Sequence, residues 1–290
     1  YITQPAVSIC LKNLQDELGS RLFEVRGRTV KFTGAGEVVL EYARRFSHLE
    51  KELLEEIKDL EGLEKGRIAL GTIDAASIYV LPEIFSRFHG LYPGIDVFLE
   101  IASTAPLLRE LKGGHLDLVV GTLPIENSGD FEVFPVYKEV LVLIAPTGHP
   151  LAGRRRLTPD MLSGYPFISF HEESITRHIV EEALLRKGIT PRITMAIDSP
   201  ESIKNLVASG LGLAVLPKRM VRTEIGKGAI SVLKVRGLRF ERRLGLVLSA
   251  GRYLSSTVRA FLGVLEKGLN VKLPERLRLE EKATERARPK

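Results

Sequence analysis

Apolar side chains recur at Val7, Cys10, Leu11, Leu14 and Leu18, a spacing that gathers them on one helical face. Thr3 stands at the N-cap of the predicted helix and Pro5 at the first helical position, where a missing N–H costs nothing. Gly19 stands at its C-cap. The stripe reads as a core face, with Cys10 a packing residue within it. Gln4, Pro5, Ser8, Ile9 and Lys12 fall on the opposite side. Leu22 and Phe23 then point inward, Arg26-Gly27-Arg28 makes a basic turn, and Val30-Lys31-Phe32 alternates, which predicts a short hairpin. Residues 34–62 contain no proline and carry Val39, Tyr42, Phe46, Leu49, Leu53, Ile57 and Leu60 three or four apart. That heptad-like seam predicts one long helix. An isolated helix cannot bury such a stripe, so it docks on its own chain or on a second copy.

After residues 62–66 the period changes. Strand-like runs at 67–73, 95–101 and 116–121 alternate with helical patterns at 77–89 and 105–113. A second set has strands at 140–145, 167–170, 192–197 and 213–216, with helices at 174–187 and 200–209. A strand at 243–249 and a helix at 255–266 return to the first set. Alternation of this kind predicts parallel pairing and two α/β lobes. A chain that crosses twice between lobes leaves a cleft where small ligands bind. The predicted divisions are a DNA-binding portion at 1–36, a linker and dimerisation helix at 37–66, an effector-binding domain of two lobes at 67–267, and a charged, disordered tail at 268–290.

Composition sharpens this picture by exclusion. The 290 residues are 44% hydrophobic and 27% charged, as in a packed rather than a disordered chain. One cysteine excludes an internal disulfide framework and a cysteine-based metal cage. No apolar run reaches the roughly 18 residues of a membrane span, and no signal peptide opens the chain, so a cytoplasmic protein without membrane partners is expected. The net charge of +6 is unevenly spread: residues 1–66 hold 10 Lys/Arg against 12 Asp/Glu. An argument for nucleic acid must therefore rest on placement rather than bulk charge.

Placement supplies one. Small and polar groups at the start of the first helix let its backbone approach a major groove, where Gln4 can pair with an adenine edge and Lys12 can reach phosphate. With the basic turn beside it, the candidate DNA-binding set is Thr3, Gln4, Pro5, Ser8, Ile9, Lys12, Arg26 and Arg28. An ordinary helix and hairpin with a solvated turn would show the same pattern. In the predicted cleft, polar residues at strand ends before helix starts are candidates for effector binding, because free backbone N–H groups there favour anions. These are Asp74, Ser77, Ser103, Thr104 and Thr122 on the first lobe, and Ser169, Ser174, Thr176 and Ser199 on the second. Each could equally be a helix cap. No histidine sits in a motif of known mechanism, His149 reads as part of a turn between lobes, and there is no phosphate-binding glycine loop. Neither catalysis, nor a cofactor, nor a metal is expected.

The run Gln4-Pro5-Ala6-Val7-Ser8, with Leu11, Leu14, Leu18-Gly19, Leu22-Phe23, Arg28, Val30, Thr33 and Ala35-Gly36, closely resembles the DNA-binding domain of LysR-type transcriptional regulators. Leu81-Pro82, Phe88, Tyr92-Pro93, Leu116-Asp117-Leu118, Ser209-Gly210-Leu211-Gly212 and Leu216-Pro217 resemble that family's effector-binding domain. The resemblance implies an α/β fold: a partial winged helix-turn-helix, a long linker helix, and a two-lobed effector domain like a periplasmic binding protein. It also implies that the chain begins inside the helix-turn-helix. Val25 and Ile9 depart from the family, which usually has arginine at the first position and a polar residue at the second. By the same resemblance the loops at 73–77, 103–104, 168–170 and 198–200 contact effector. Asp74 stands where the family often has serine or threonine, so its charge should be met by Arg177 or by an amino or hydroxyl group of the ligand. The function implied is sequence-specific DNA binding to an inverted repeat by a homodimer or homotetramer, controlled by a small molecule in the cleft. The alternative is a solute-binding receptor of a transport system with the same cleft; it would need an export signal and no recognition helix.

Overall fold

The computed structural model describes residues 3–26, 29–61, 65–125 and 128–279. Contacts divide the chain into two units, Tyr1–Leu60 and Glu61–Lys290. In the first, α1 spans Gln4–Leu18 and ends on Gly19 at φ +60°, a left-handed turn that glycine adopts without strain. Strands β1 (Phe23–Arg26) and β2 (Thr29–Phe32) pair antiparallel, Phe23 opposite Phe32. Helix α2 spans Gly34–Glu61. Thr33 starts it: its hydroxyl accepts from Gly36 N at 3.0 Å and donates to Arg21 O at 2.6 Å. Leu22 is buried at this junction, and Gly36 leaves room for its carbonyl.

The expected core face of α1 is not buried. No residue of α1 is buried; Val7, Leu11 and Leu18 are exposed, and so is Cys10. The helical spacing is as predicted, but among the described residues nothing covers the stripe. The packing role expected of Cys10 is corrected accordingly.

In the second unit the order is β3 (Gly66–Thr72), α3 (Asp74–Tyr79), α4 (Leu81–Leu91), β4 (Ile95–Ile101), α5 (Thr104–Lys112) and β5 (Leu118–Leu123). Then come β6 (Phe131–Pro146), β7 (Pro166–Ser169), α6 (Ile175–Leu185), β8 (Arg192–Ala196), α7 (Pro200–Ala208) and β9 (Ala214–Pro217). The chain finishes with α8 (Arg222–Gly226), β10 (Ile230–Leu233), β11 (Phe240–Ser249) and α9 (Ser256–Leu269). The helix expected over 77–89 is two helices, because Pro82 in the first turn of α4 cannot carry the ladder on from α3.

One sheet runs β10-β6-β11-β5-β3-β4, with β9 also on β6, and β7 pairs with β8 separately. The expected parallel pairing holds for β4-β3-β5 and for β7-β8. Strands β6, β9, β10 and β11 pair antiparallel instead. The other three pair with β6, a 16-residue strand that carries Glu132, Lys138 and Glu139 and so lacks the continuous apolar run of a buried parallel strand. It runs beside β11 from the Phe131–Ser249 pair to the Leu141–Phe240 pair, with a register shift at Leu244/Gly245. These two strands are the crossings between lobes.

Each lobe has apolar layers on both faces of its strands. In lobe 1, Ile68 and Leu70 of β3 face Leu81, Ile84, Phe88, Phe261 and Leu265, while Ala69 joins Leu107, Leu111 and Val119 on the other side. Phe88 and Phe261 meet edge to face at 5.2 Å. Lobe 2 has Leu143, Phe167, Leu184 and Leu213 on one face and Ile144, Ile203, Val207 and Leu216 on the other.

The disordered tail expected from 268 is corrected over 268–279. Leu273 and Leu277 are buried in the lobe 1 core, Leu273 N donates to Glu266 Oε1 at 2.9 Å, and Arg278 pairs with the same oxygen at 2.8 Å. Two leucines in the core, with these polar bonds and the Arg276–Glu132 pair, hold a segment whose composition is otherwise charged.

Candidate effector cleft and nucleic-acid face

On α1, Thr3, Gln4, Pro5, Ser8, Ile9 and Lys12 are all exposed, Ile9 at 60%. Ser8 donates its hydroxyl to Gln4 O at 3.1 Å, and Thr3 makes no side-chain cap bond. Arg28 and the side chain of Arg26 lie outside the described residues, as does the side chain of Val25.

Around the cleft the predicted residues take different parts. Thr104 and Thr122 come together in lobe 1: both are buried, and Thr122 N donates to Thr104 Oγ1 at 3.1 Å. Gly121 permits this approach, since a Cβ there would sit 2.8 Å from the Thr104 methyl. Ser103 caps α5 with its backbone and is half-buried, without a side-chain cap bond. Ser77 donates to Asp74 O, within its own helix. In lobe 2, Ser199 is the helix cap that its position equally allowed: it accepts from Ser202 N at the start of α7. Ser174 stands at the N-cap of α6 without a side-chain cap bond. Ser169 borders a small apolar cavity inside lobe 2, behind Val180, Leu184, Ile193 and Ile203, whose interior of about 10 Å³ has room for one water at most.

Thr176, in the first turn of α6, is buried and accepts from Arg242 Nη1 at 2.7 Å. Arg242, on crossing strand β11, donates through Nε to Glu139 Oε2 at 2.7 Å on crossing strand β6. Both side chains are buried, Arg242 at 2% exposed, and its Nη2 lies 2.7 Å from the same oxygen without the alignment of a hydrogen bond. A buried ion pair thus ties the strands that join the lobes to the start of a lobe 2 helix. That helix also meets β5 of lobe 1. Nothing in the local sequence flags this arrangement, because Glu139 and Arg242 are 103 positions apart.

Asp74 is not met by Arg177. Arg177 instead donates to Glu181 at 2.7 Å and to Phe170 O, and Glu172 lies 3.7 Å away. The Arg177–Glu181 pair, one turn apart within α6, is closer in sequence than a partner on another lobe. Burial first and the charge of Glu201 second push the Asp74 carboxyl above its ordinary value. Tyr79 reaches across to lobe 2 and donates to Glu201 Oε1 at 2.5 Å. Glu201 also pairs with Lys204 at 2.6 Å, and Lys204 with Glu224 at 3.0 Å. These four side chains were not foreseen. His149 does not lie between lobes: its turn follows the end of β6 in lobe 2, where the ring packs 4.5 Å from Tyr165 and burial lowers its pKa.

The model of the LysR substrate binding domain matches residues 61–270, and that of the bacterial regulatory helix-turn-helix protein of the lysR family matches residues 1–37. A probable RuBisCO transcriptional regulator of Trichormus variabilis is 31% identical over 266 residues, covering 90% of this chain and 79% of that one. Among solved structures, the CcmR regulatory domain of Synechocystis in complex with 2-PG superposes with a TM-score of 0.65 at 28% identity, covering 70% of this chain and 97% of that one. A full-length OxyR variant from Pseudomonas aeruginosa shares the fold over 92% of this chain and 86% of its own, with a TM-score of 0.70 at 24% identity. With a regulatory helix-turn-helix and a two-lobed effector domain in one chain, the transport-receptor alternative falls away, and the protein belongs to the LysR family of transcriptional regulators.

Proposed function

We propose that this regulator reads an inverted-repeat operator through the exposed start of α1 and is controlled by a small anion held between its lobes. Gln4 and Ser8 face base edges, Ile9 contacts a thymine methyl, and Lys12, with Arg26 and Arg28 of the basic turn, grips phosphate. Two copies meet along the α2 seam, where Tyr42, Phe46, Leu49, Leu53 and Ile57 are all exposed. Work on DNA places the protein in the cytoplasm, and it acts without catalysis; among the described residues no helix is long and apolar enough to cross a membrane.

The observation that carries the effector reading is the Arg242–Glu139 pair with Thr176. It fastens the N-terminus of α6, whose free N–H groups favour negative charge, to the strands that join the lobes. An anion settling on Ser103, Thr104 and Thr122 from one lobe and on Ser174 and Thr176 from the other changes the lobe arrangement through the crossing strands. The CcmR domain, which holds 2-PG, supports this choice of ligand class. Ser169 and Ser199 line the lobe 2 side, and Asp74 and Ser77 the lobe 1 side.

The test is a DNA footprint titrated at several salt concentrations, with and without 2-PG and inorganic phosphate. Salt-sensitive protection of an inverted repeat, with a footprint altered by an anion, is the expected result. Binding without sequence preference would remove the operator reading. A footprint indifferent to every anion would remove the effector reading.

A further inference from the structure

On the α3 and α7 side of the cleft, a polar chain runs from one lobe into the other. Tyr79 closes α3 in lobe 1, and its hydroxyl donates to Glu201 in the first turn of α7 in lobe 2. Glu201 spends its second oxygen on Lys204, 2.6 Å away. Lys204 is itself fixed, 7% exposed, by Glu224 at 3.0 Å and by Met220 O at 3.4 Å. The Met220 side chain belongs to the lobe 1 core, so this corner of lobe 2 touches lobe 1 through both a polar and an apolar contact.

We propose that the Tyr79–Glu201 hydrogen bond is a latch between the lobes, with Lys204 and Glu224 as positioning residues that hold the Glu201 carboxylate where the phenol of the opposite lobe can reach it. The chemistry suits a contact that opens and closes. When the lobes part, Glu201 keeps Lys204, which it shares with Glu224, as its counter-ion, and the Tyr79 hydroxyl meets water. Opening therefore costs one charge-assisted hydrogen bond besides the apolar Met220 contact, and the hydrogen bond by itself is worth about 10-fold in the equilibrium between closed and open lobes. The motion has its pivot in the crossing strands, whose register shifts at Leu244/Gly245.

Electrostatics keeps the latch formed over a wide pH range. Burial first and then the hydrogen bond to Glu201 push the Tyr79 hydroxyl up to about 12. Burial works to raise the Glu201 carboxyl, but hydrogen bonds from Lys204 and Tyr79 outweigh it and hold the group below its ordinary value. Burial likewise works to lower the Lys204 ammonium, but its bonds to Glu201 and Glu224 hold it above. The donor stays protonated and the acceptor charged at neutral pH.

The latch rests on the reading of the cleft as the effector site, but its test needs no effector. Spin labels at Arg109→Cys in lobe 1 and Arg186→Cys in lobe 2, both exposed positions, report the distance between lobes in a Cys10→Ser background of the whole protein. Labelled protein is diluted with unlabelled protein so that only distances within one chain are read. Tyr79→Phe keeps the ring and removes the donor; Glu201→Gln keeps an acceptor and removes the ion pair. The expected result is a population at longer distance that grows about 10-fold in Tyr79→Phe and less in Glu201→Gln, with both variants melting near the parent. Parent-like distance distributions in both variants would overturn the latch, and so would a shift in Glu201→Gln alone, since the phenol would then contribute nothing. A distance change with no anion response in the footprint would keep the latch and retire the effector reading.

Discussion

The two units treat the same sequence signal in opposite ways. In the second unit, apolar residues at helical spacing are covered: Leu81, Ile84 and Phe88 of α4 are buried against Phe261 and Leu265 of α9. In the first, an equally regular series on α2 stays in solvent, Phe46 at 69% exposed. Periodicity identifies a helix and the face that wants cover, but it does not say whether the cover comes from the same chain. Even the second unit has an exception at its sheet edge. Strand β4 leaves Val97, Leu99 and Ile101 exposed, and Phe98 is met by the Arg67 guanidinium at 3.7 Å from its ring centre.

The sharpest way to break the contrast is to make one substitution in both places. Phe88→Ala should cost about 3–5 kcal/mol, because the vacated space lies between rigid neighbours. Phe46→Ala should cost under about 0.5 kcal/mol in dilute protein, as for an exposed position. Thermal or urea unfolding of the two variants measures the difference. Equal losses would mean that α2 is covered within its own chain.

The seam itself is tested by charge. Phe46→Glu with Leu53→Glu should weaken self-association by about 100-fold or more, since two carboxylates would face their own copies across an apolar contact. Sedimentation at several concentrations reads the shift. The unfolding transition of the second unit should stay where it was. A parent-like oligomer would place the interface elsewhere.

How much of this was readable beforehand follows from the range of the forces involved. Helix α1, the hairpin, α2 and the β3-to-β5 region are local patterns, set by spacing, capping and turn residues such as Thr33 and Gly19, and they lie close to their predicted bounds. The first half of β6 was missed because an antiparallel strand held by backbone pairing along β11 can carry Glu132 and Lys138 on its faces. Strand-end logic singled out Thr104 and Thr122 as effector candidates but not their burial or their mutual hydrogen bond, and Arg242, Glu139, Tyr79 and Glu201 act through partners over a hundred positions away. No window on the chain holds both halves of such a pair. The packed segment at 270–279 shows the reverse error, where charge-rich composition hid two leucines with a place in the core.

A smaller effect separates the faces of α1. Lys12→Ala should lower DNA affinity by a similar factor on every sequence and reduce the slope of log affinity against log salt by about 1. Gln4→Ala should instead relax preference at a base pair and leave the slope unchanged. If Lys12→Ala left the slope intact, that side of α1 would not be facing phosphate. The candidate set would then shrink to the basic turn.

The smallest effect lies in the cleft and is a matter of sign. Asp74 has its carboxyl raised above 3.8, by burial and then by Glu201. The folded state therefore prefers the protonated acid. Its contribution to stability is fully present below 3.8 and is lost as pH rises through the elevated folded value. Glu201 runs the other way: its pKa is lowered, so its contribution is present above 4.5 and is lost as pH falls through the folded value. Asp74→Asn removes the first dependence and leaves the second, so the variant should match the parent in acid and exceed it slightly near neutrality. Melting temperatures measured from below pH 3.8 to pH 7 decide the matter. A variant less stable than the parent at neutrality would mean that the Asp74 charge is already met by a partner, and the cleft would then need no donor group from its ligand at that position.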